Sequence, residues 1–322
     1  MHKQSVSTDL ALTTIGLGGS AFGNLFSVTS DEDCAAAINT AWDAGVRYFD
    51  TAPHYGLGLS ERRVGSLLRD RPRSDWVLST KVGRLLEPTP ERAEHLDDDG
   101  FAVPAAYRRV WDFSRDGVLR SLEASLERLG LDRIDVVYLH DPDQHWEQAS
   151  TEGIETLVKL RDEGVISAIG AGMNQSRMLT EFVRRCDVDV VMLAGRYTLL
   201  DRSAEDDLLP LAEERNVAVV AAGVYNSGLL SRAEVSATAT YEYQKAPEHL
   251  IAQATRMAEL CRAHGVTLPD AAVQFPLRHP AIASVVIGGR NGHQVGEGVT
   301  RSTTPIPAEL WNELDEVRRE GR

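Results

Sequence analysis

Asp50 in Phe49-Asp50-Thr51-Ala52, Tyr55 just beyond it, Lys81 closing Leu78-Ser79-Thr80-Lys81 and His140 closing Val137-Tyr138-Leu139-His140 are four ionisable residues at or just after the ends of short apolar runs. An aspartate and a lysine on buried strands are costly unless they pair. Pairing Asp50 with Lys81 removes that cost and leaves the ammonium directed at a neighbour. With Tyr55 as that neighbour, the positive charge favours phenolate, and the phenol pKa is expected to fall towards working pH. His140 can then hydrogen-bond the oxygen of a carbonyl or alcohol. Such a group moves a proton at oxygen while a cofactor handles hydride at carbon. Singly, a strand-end Asp, Lys or His is more often a structural pair or a surface residue, and Tyr55 alone reads as a packed aromatic. Their joint placement on three consecutive strand ends selects the catalytic reading.

Bringing those ends together requires parallel neighbouring strands. Apolar, β-rich runs occur at 14–18, 48–51, 77–81, 136–140, 168–172, 190–193, 218–221 and 284–287. Several are apolar continuously, as strands buried on both faces should be. Between them lie helical patterns. Ser30-Asp31-Glu32-Asp33 opens one with a cap and an acidic first turn, and Gly45 closes it. Others are expected at 60–68, 114–129, 151–163, 177–185, 204–215 and 248–264. This alternation calls for a parallel sheet. Eight strands over this length point to an α/β fold of the closed (β/α)8 TIM-barrel kind rather than an open doubly wound sheet. No Gly/Ser/Pro-rich linker interrupts the chain, so residues 1–322 are expected to form a single domain.

Three connections, 83–113, 225–247 and 288–307, are too long for simple turns. Each follows the C-terminal end of a strand, the face where barrel enzymes place their sites. The first carries Asp97-Asp98-Asp99, which reads as a solvated tip, because a metal cage needs ligands converging from elsewhere. No metal site is expected. The formal net charge of −14 argues against nucleic acid and anionic membranes as partners. Cys34, Cys186 and Cys261 lack metal or disulfide spacing and read as small, buried or half-buried side chains in helices. Residues 1–10 hold no apolar leader and no stretch has membrane length, which makes a cytoplasmic protein the expectation.

The sequence resembles the aldo-keto reductase superfamily, and within it the branch of bacterial sugar dehydrogenases that includes threo-aldose and L-fucose dehydrogenases, with pyridoxal dehydrogenases close by. The resemblance spans essentially the whole chain. It is carried by Gly16-Leu17-Gly18-Gly19-Ser20, by Phe49-Asp50-Thr51-Ala52-Pro53-His54-Tyr55-Gly56 with Ser60-Glu61, by Ser79-Thr80-Lys81-Val82-Gly83, and by Leu129-Gly130-Leu131-Asp132-Arg133-Ile134-Asp135. His140-Asp141-Pro142-Asp143, Gly195-Arg196-Tyr197-Thr198-Leu199-Leu200 and Gly223-Val224-Tyr225-Asn226-Ser227-Gly228 look like that branch in particular.

The resemblance implies a nicotinamide cofactor, NADP or NAD, with Tyr55 as proton donor or acceptor, Lys81 and Asp50 tuning it, and His140 orienting the substrate. It implies that Gly19, Ser20 and Asp50 line the cofactor site, and that Asn174 bonds the nicotinamide amide. Tyr225, Asn226, Ser227 and Gly228 would lie in the loop around the pyrophosphate. Arg290 and Gln294 would fall in the adenosine-phosphate segment, and Glu297 would meet adenine. Arg290 is the basic residue beside Gly288-Gly289, whereas many NADPH-dependent relatives carry a second cation where Gln294 stands. One arginine points to a modest lean to NADP, or dual use. His54, Trp111 and Asp141, with Asp143, are candidate sugar contacts, offering acceptors and a flat apolar face. Four positions depart from the family pattern. Met173 replaces a Ser, Ala194 a Gln, and Gly298 a frequent adenine-binding Asn. Ala222 stands where an aromatic often stacks on nicotinamide, leaving Tyr225 as its candidate substitute.

The leading expectation is oxidation of the C1 hydroxyl of an aldose to a lactone. The alternative is an NADPH-dependent aldehyde or ketone reductase using the same groups in reverse. A cofactor-binding regulatory subunit with little turnover ranks third, since such a module has no need of Tyr55 beside Lys81. The expected partners are a small sugar or aldehyde, with the number of subunits left open.

Overall fold

The computed structural model describes residues 1–7, 10–242 and 244–320. Eight strands form a closed parallel barrel in which each pairs with the next along the chain and the last closes on the first. They are β1 Ile15–Gly18, β2 Tyr48–Asp50, β3 Val77–Val82, β4 Val136–His140, β5 Ala168–Met173, β6 Val190–Ala194, β7 Ala218–Ala222 and β8 Ile282–Gly288. These are the eight runs expected from the sequence, each within a residue or two of its bounds. Almost every strand residue is buried, which is why alternation is weak in the sequence: helices cover the outer face and side chains fill the inner one.

The helices are α1 Asp31–Asp43, α2 Leu59–Leu68, α3 Arg115–Leu129, α4 Ile154–Asp162, α5 Ser176–Arg185, α6 Leu208–Arg215, α7 Glu248–Ala263, α8 Leu268–Gln274, α9 Gly292–Arg301 and α10 Ala308–Glu320. The expected cap of α1 is present, with the Ser30 side chain accepting from the Asp33 N–H. Three helices correct the sequence reading. The segment 288–307, expected to be a long connection, contains α9. Its glycines lower helix propensity, but they let it sit directly on α1: a Cβ at Gly292 would lie 2.7 Å from Thr40 Oγ1. The short α8 has a full capping box, Thr267 with Asp270, and is too brief for a helical period to show. Helix α10 buries Leu310, Leu314 and Val317 at helical spacing.

The N-terminal end of the barrel is closed by an antiparallel hairpin, Lys3–Ser5 with Ala11–Thr13. Val6, Leu10 and Leu12 join the strand beginnings Val136, Ala168, Val190, Ala218 and Ala283 in one apolar plug. At the opposite end, connection 83–113 forms a second hairpin, Arg84–Pro88 with Tyr107–Trp111, which stands over the mouth. Cys34 and Cys261 are buried and Cys186 is half-buried, all as free thiols. Among the described residues, no helix is long and apolar enough to cross a membrane.

Candidate active site

The pleat decides which side chains meet. Along β2, β3 and β4, Tyr48 and Asp50, Ser79 and Lys81, and Tyr138 and His140 occupy the interior-facing alternation. Phe49, Leu78, Val137 and Leu139 turn outward into the core beneath the helices. Thr80, also outward, donates to the buried Glu61, which Arg128 neutralises at 2.6 Å.

Lys81 has three protons and three acceptors: Asp50 Oδ2 at 2.7 Å, the Thr51 carbonyl at 3.0 Å and the Tyr55 hydroxyl at 3.1 Å. Its side chain is 2% exposed and that of Asp50 4%, so this is a desolvated pair with a fixed direction. The second Asp50 oxygen accepts from Ser79 Oγ at 2.7 Å. Tyr55 reaches the ammonium from the loop after β2, which turns at Gly56 with φ 63°. There the main chain rests directly on Gly23. A Cβ at Gly23 would lie 2.5 Å from the Tyr55 carbonyl carbon, and one at Gly56 would overlap the Gly23 carbonyl oxygen. The His140 ring stands perpendicular to Tyr55, with centroids 6.0 Å apart, and His54 packs edge-on to His140 at 5.5 Å.

Burial raises the Tyr55 pKa; Lys81 opposes the rise, and the Asp50 carboxylate adds to it. This corrects the sequence expectation of a lowered phenol pKa. The same carboxylate that makes a buried lysine tolerable cancels part of its pull on the phenol, and desolvation wins. Burial, reinforced by Arg84 and Lys81, holds His140 well below its ordinary value, so it is a neutral imidazole. His54 is pushed down to about 2 by burial, with Arg84 and Arg109 adding to the effect.

These groups open into a cleft of about 710 Å³ at the C-terminal mouth. It is lined by Asp50, Tyr55, Lys81 and His140 and by Gly19, Ser20, Asn174, His54, Trp111 and Asp141. Two residues that sequence reasoning missed matter here. Arg84 follows the turn at Gly83 and forms an ion pair with Asp141 inside the cleft. Phe101 meets the His54 ring edge-on at 5.1 Å. The available signal for Arg84 was its place three residues beyond Lys81, just past the end of β3; Phe101 had none, since only folding of its long loop brings it in. Asp97-Asp98-Asp99 also needs correction. Asp98 and Asp99 are exposed, paired with Arg92 and with Arg109 respectively, whereas the Asp97 side chain is buried against Arg109, at 2.6 and 3.0 Å. Arg109 also donates to the His54 carbonyl at 2.9 Å, bolting the roof to the loop that carries Tyr55. Among the described residues no acidic, His or Cys cluster could hold a metal.

Other candidates lie outside the lining. Asp143 is exposed and accepts from Gln175 at 2.5 Å. Tyr225, half-buried, packs against the core, and Ser227 and Gly228 line a separate polar hollow. Asn226 is buried, bonds the Gly195 carbonyl at 3.3 Å and leaves its amide oxygen without a partner among the described residues. Arg290 donates to the Ser27 carbonyl and Thr29 Oγ1, both at 3.0 Å, and to the Leu25 carbonyl. Gln294 accepts from the Arg290 N–H at 2.9 Å, and Glu297 lies between His293 and Arg301 on α9. Met173, Ala194 and Ala222 do line the cleft, and Gly298 packs against Ile287, where a Cβ would lie 2.8 Å from Cδ1.

Residues 14–319 match the profile of the aldo/keto reductase family. The chain is 47% identical to D-threo-aldose 1-dehydrogenase from Pseudomonas sp., covering 98% of this chain and 96% of that protein. It is 39% identical to pyridoxal 4-dehydrogenase from Microbacterium luteolum, over 95% and 94%. Among solved structures, an aldo-keto reductase from Bacillus halodurans in its holo form superposes with a TM-score of 0.78 at 27% identity, covering 98% of this chain and 96% of that one.

Proposed function

This chain belongs to the aldo/keto reductase family of NAD(P)-dependent oxidoreductases, and from that premise we propose that it oxidises the C1 hydroxyl of a fucose- or threo-aldose-like sugar to a lactone. The observation that carries the proposal is the Lys81 ammonium at 3.1 Å from the Tyr55 hydroxyl inside the cleft. The identity to D-threo-aldose 1-dehydrogenase supports the substrate class.

Tyr55 takes the proton of the C1 hydroxyl. Lys81 stabilises the phenolate form, and Asp50 keeps the ammonium in place. Neutral His140 hydrogen-bonds the same substrate oxygen and adds no charge of its own. His54, Trp111 and Asp141 border the space beyond it and are assigned to the sugar. A bound nicotinamide would supply the acceptor for the hydride at C1. The residues present fit that group. Gly18, Gly19, Gly172, Ala194, Ala222 and Gly223 leave room along one side of the cleft, its floor, between the apolar side chains of Met173, Met192, Val286 and Ile287, a surface suited to a flat ring. Gly19, Ser20, Asp50 and Asn174 are assigned to its nicotinamide half, Tyr225 to Gly228 to the pyrophosphate, and Arg290, Gln294 and Glu297 to the adenosine end. The Arg290 bonds given above go to neutral acceptors, so its charge supports a modest preference for NADP over NAD.

One observation favours the reverse reaction as a second reading. A phenol with a raised pKa carries its proton at neutral pH and is ready to donate it to a carbonyl. Initial rates with NAD+ and NADP+ across L-fucose and other aldoses, pyridoxine-like alcohols and simple aldehydes test both. Efficient aldehyde reduction without aldose oxidation would replace the first reading by the second.

A further inference from the structure

Directly beneath Asp50, the barrel interior contains three hydroxyls in surroundings that are otherwise apolar. Ser79 Oγ is 2.7 Å from Asp50 Oδ1 and 3.0 Å from the Tyr48 hydroxyl, which is 3.3 Å from the Tyr138 hydroxyl. Ser79, Tyr48 and Tyr138 are all fully buried, and the tyrosine rings pack with Leu12, Val136, Val190, Met192 and Val220. Barrel interiors are ordinarily filled by branched apolar side chains, and buried hydroxyls are costly unless bonded. Phenylalanines would fill the two ring positions without that cost.

The direction of the chain follows from elementary donor counting. A carboxylate paired with an ammonium offers only acceptors, so Ser79 spends its one proton on Asp50. Its oxygen must then accept from Tyr48, and the Tyr48 oxygen from Tyr138. All three dipoles point the same way, towards the Asp50 oxygen that Lys81 leaves free.

We infer that Ser79, with Tyr48 and Tyr138 behind it, is a positioning residue for proton transfer at Tyr55. Its hydroxyl fixes the rotation of the Asp50 carboxylate, and the carboxylate fixes the aim of the Lys81 ammonium. This rests on the assignment of Tyr55 as the proton-transfer group. Without the Ser79 donor, the Asp50 charge is less dispersed and holds the ammonium more strongly. Less positive potential reaches the phenol, and phenolate forms at higher pH.

The experiment compares Ser79→Ala, Tyr48→Phe and Tyr138→Phe in L-fucose oxidation and 4-nitrobenzaldehyde reduction across pH. Ser79→Ala should lower kcat about 10-fold, the scale of one lost charge-assisted hydrogen bond. The loss should be smaller for Tyr48→Phe and smallest for Tyr138→Phe. The pH at which oxidation reaches half its plateau should move upward in the same order, with the cofactor KM unchanged. Ser79→Thr keeps the hydroxyl and should restore both values. Wild-type kcat and pH dependence in Ser79→Ala would overturn the inference, as would losses that follow melting temperature with no movement of the pH profile. Tyr55→Phe separates the two levels. If it still turns over, the assignment of Tyr55 fails; if it is inactive while Ser79→Ala is normal, only the positioning role fails.

Discussion

The two halves of the cleft are built on opposite plans. Where β2, β3 and β4 end, the wall is made of ionisable side chains: Asp50, Lys81 and Tyr55, hydrogen-bonded in sequence through the ammonium, and His140, packed edge-on against Tyr55. Where β5 to β8 and β1 end, the wall is uncharged, with glycines and alanines set among Met173, Met192, Val286 and Ile287 and with Ser20 and Asn174. The first half acts through what its side chains carry, and the second through what its side chains leave out. Deletions should therefore damage the first half, and additions the second.

The largest expected effect belongs to the first half. Tyr55→Phe keeps the ring and removes the ionisable oxygen, so turnover should fall ~10²–10⁴-fold while cofactor binding, followed by NADPH fluorescence, survives. Lys81→Met should also cripple turnover. Near-normal turnover in Tyr55→Phe would erase the distinction between the halves. The mirror experiment is Ala222→Leu, which adds bulk to the floor. Cofactor binding should weaken about 10- to 100-fold, in line with the cost of overpacking, and the pH dependence of turnover should stay in place. A leucine there with unchanged binding would mean that the floor is not where the dinucleotide lies.

Smaller effects sharpen the boundary. Arg290→Ala should weaken NADP(H) by about 1–3 kcal/mol, the range for a lost charge-assisted bond, and leave NAD(H) nearly unchanged by direct titration. Equal losses for both cofactors would make Arg290 a brace for the segment 25–29, to which it donates. Arg84→Met removes a cation beside two buried imidazoles, so protonation of His54 and His140 becomes easier and the acid limb of kcat should move to higher pH. Stability follows the same sign. His54 has a folded pKa of about 2, far below the unfolded value of about 6.5. Its contribution is intact above the unfolded value and is lost progressively as pH falls towards the folded one. Melting temperature should decline through that window, and less steeply in Arg84→Met.

The same division explains what could be read from the sequence. Asp50, Lys81 and His140 close short apolar runs, and strand parity alone sends them to one face, so the barrel and the convergence of these side chains at its mouth were legible. The direction of the Tyr55 shift was not, because it depends on desolvation weighed against a paired ammonium, which only distances reveal. Helix α9 was hidden by glycines whose purpose is contact with α1. The roles of Asp97 and Phe101 were hidden because both sit in the hairpin connection over the mouth, and nothing local says that Arg109 will draw one inward or that His54 will meet the other. Small residues on the floor carry no sign of their use in type or spacing; only the family resemblance pointed to Gly19, Ala194 and Ala222.

The contact between Gly23 and Gly56 has a consequence for how this sequence can drift. Most crowded pairs in a protein can be rewritten together, a larger residue on one side answered by a smaller one on the other. Here each position is blocked by the other's main chain, which no substitution can shrink. In a library randomised at both positions and selected for turnover, glycine should return at each independently, with no covarying pairs. The two loops are thereby committed to each other in ancestry as well as in space, and any relative that opens this seam should have rebuilt both.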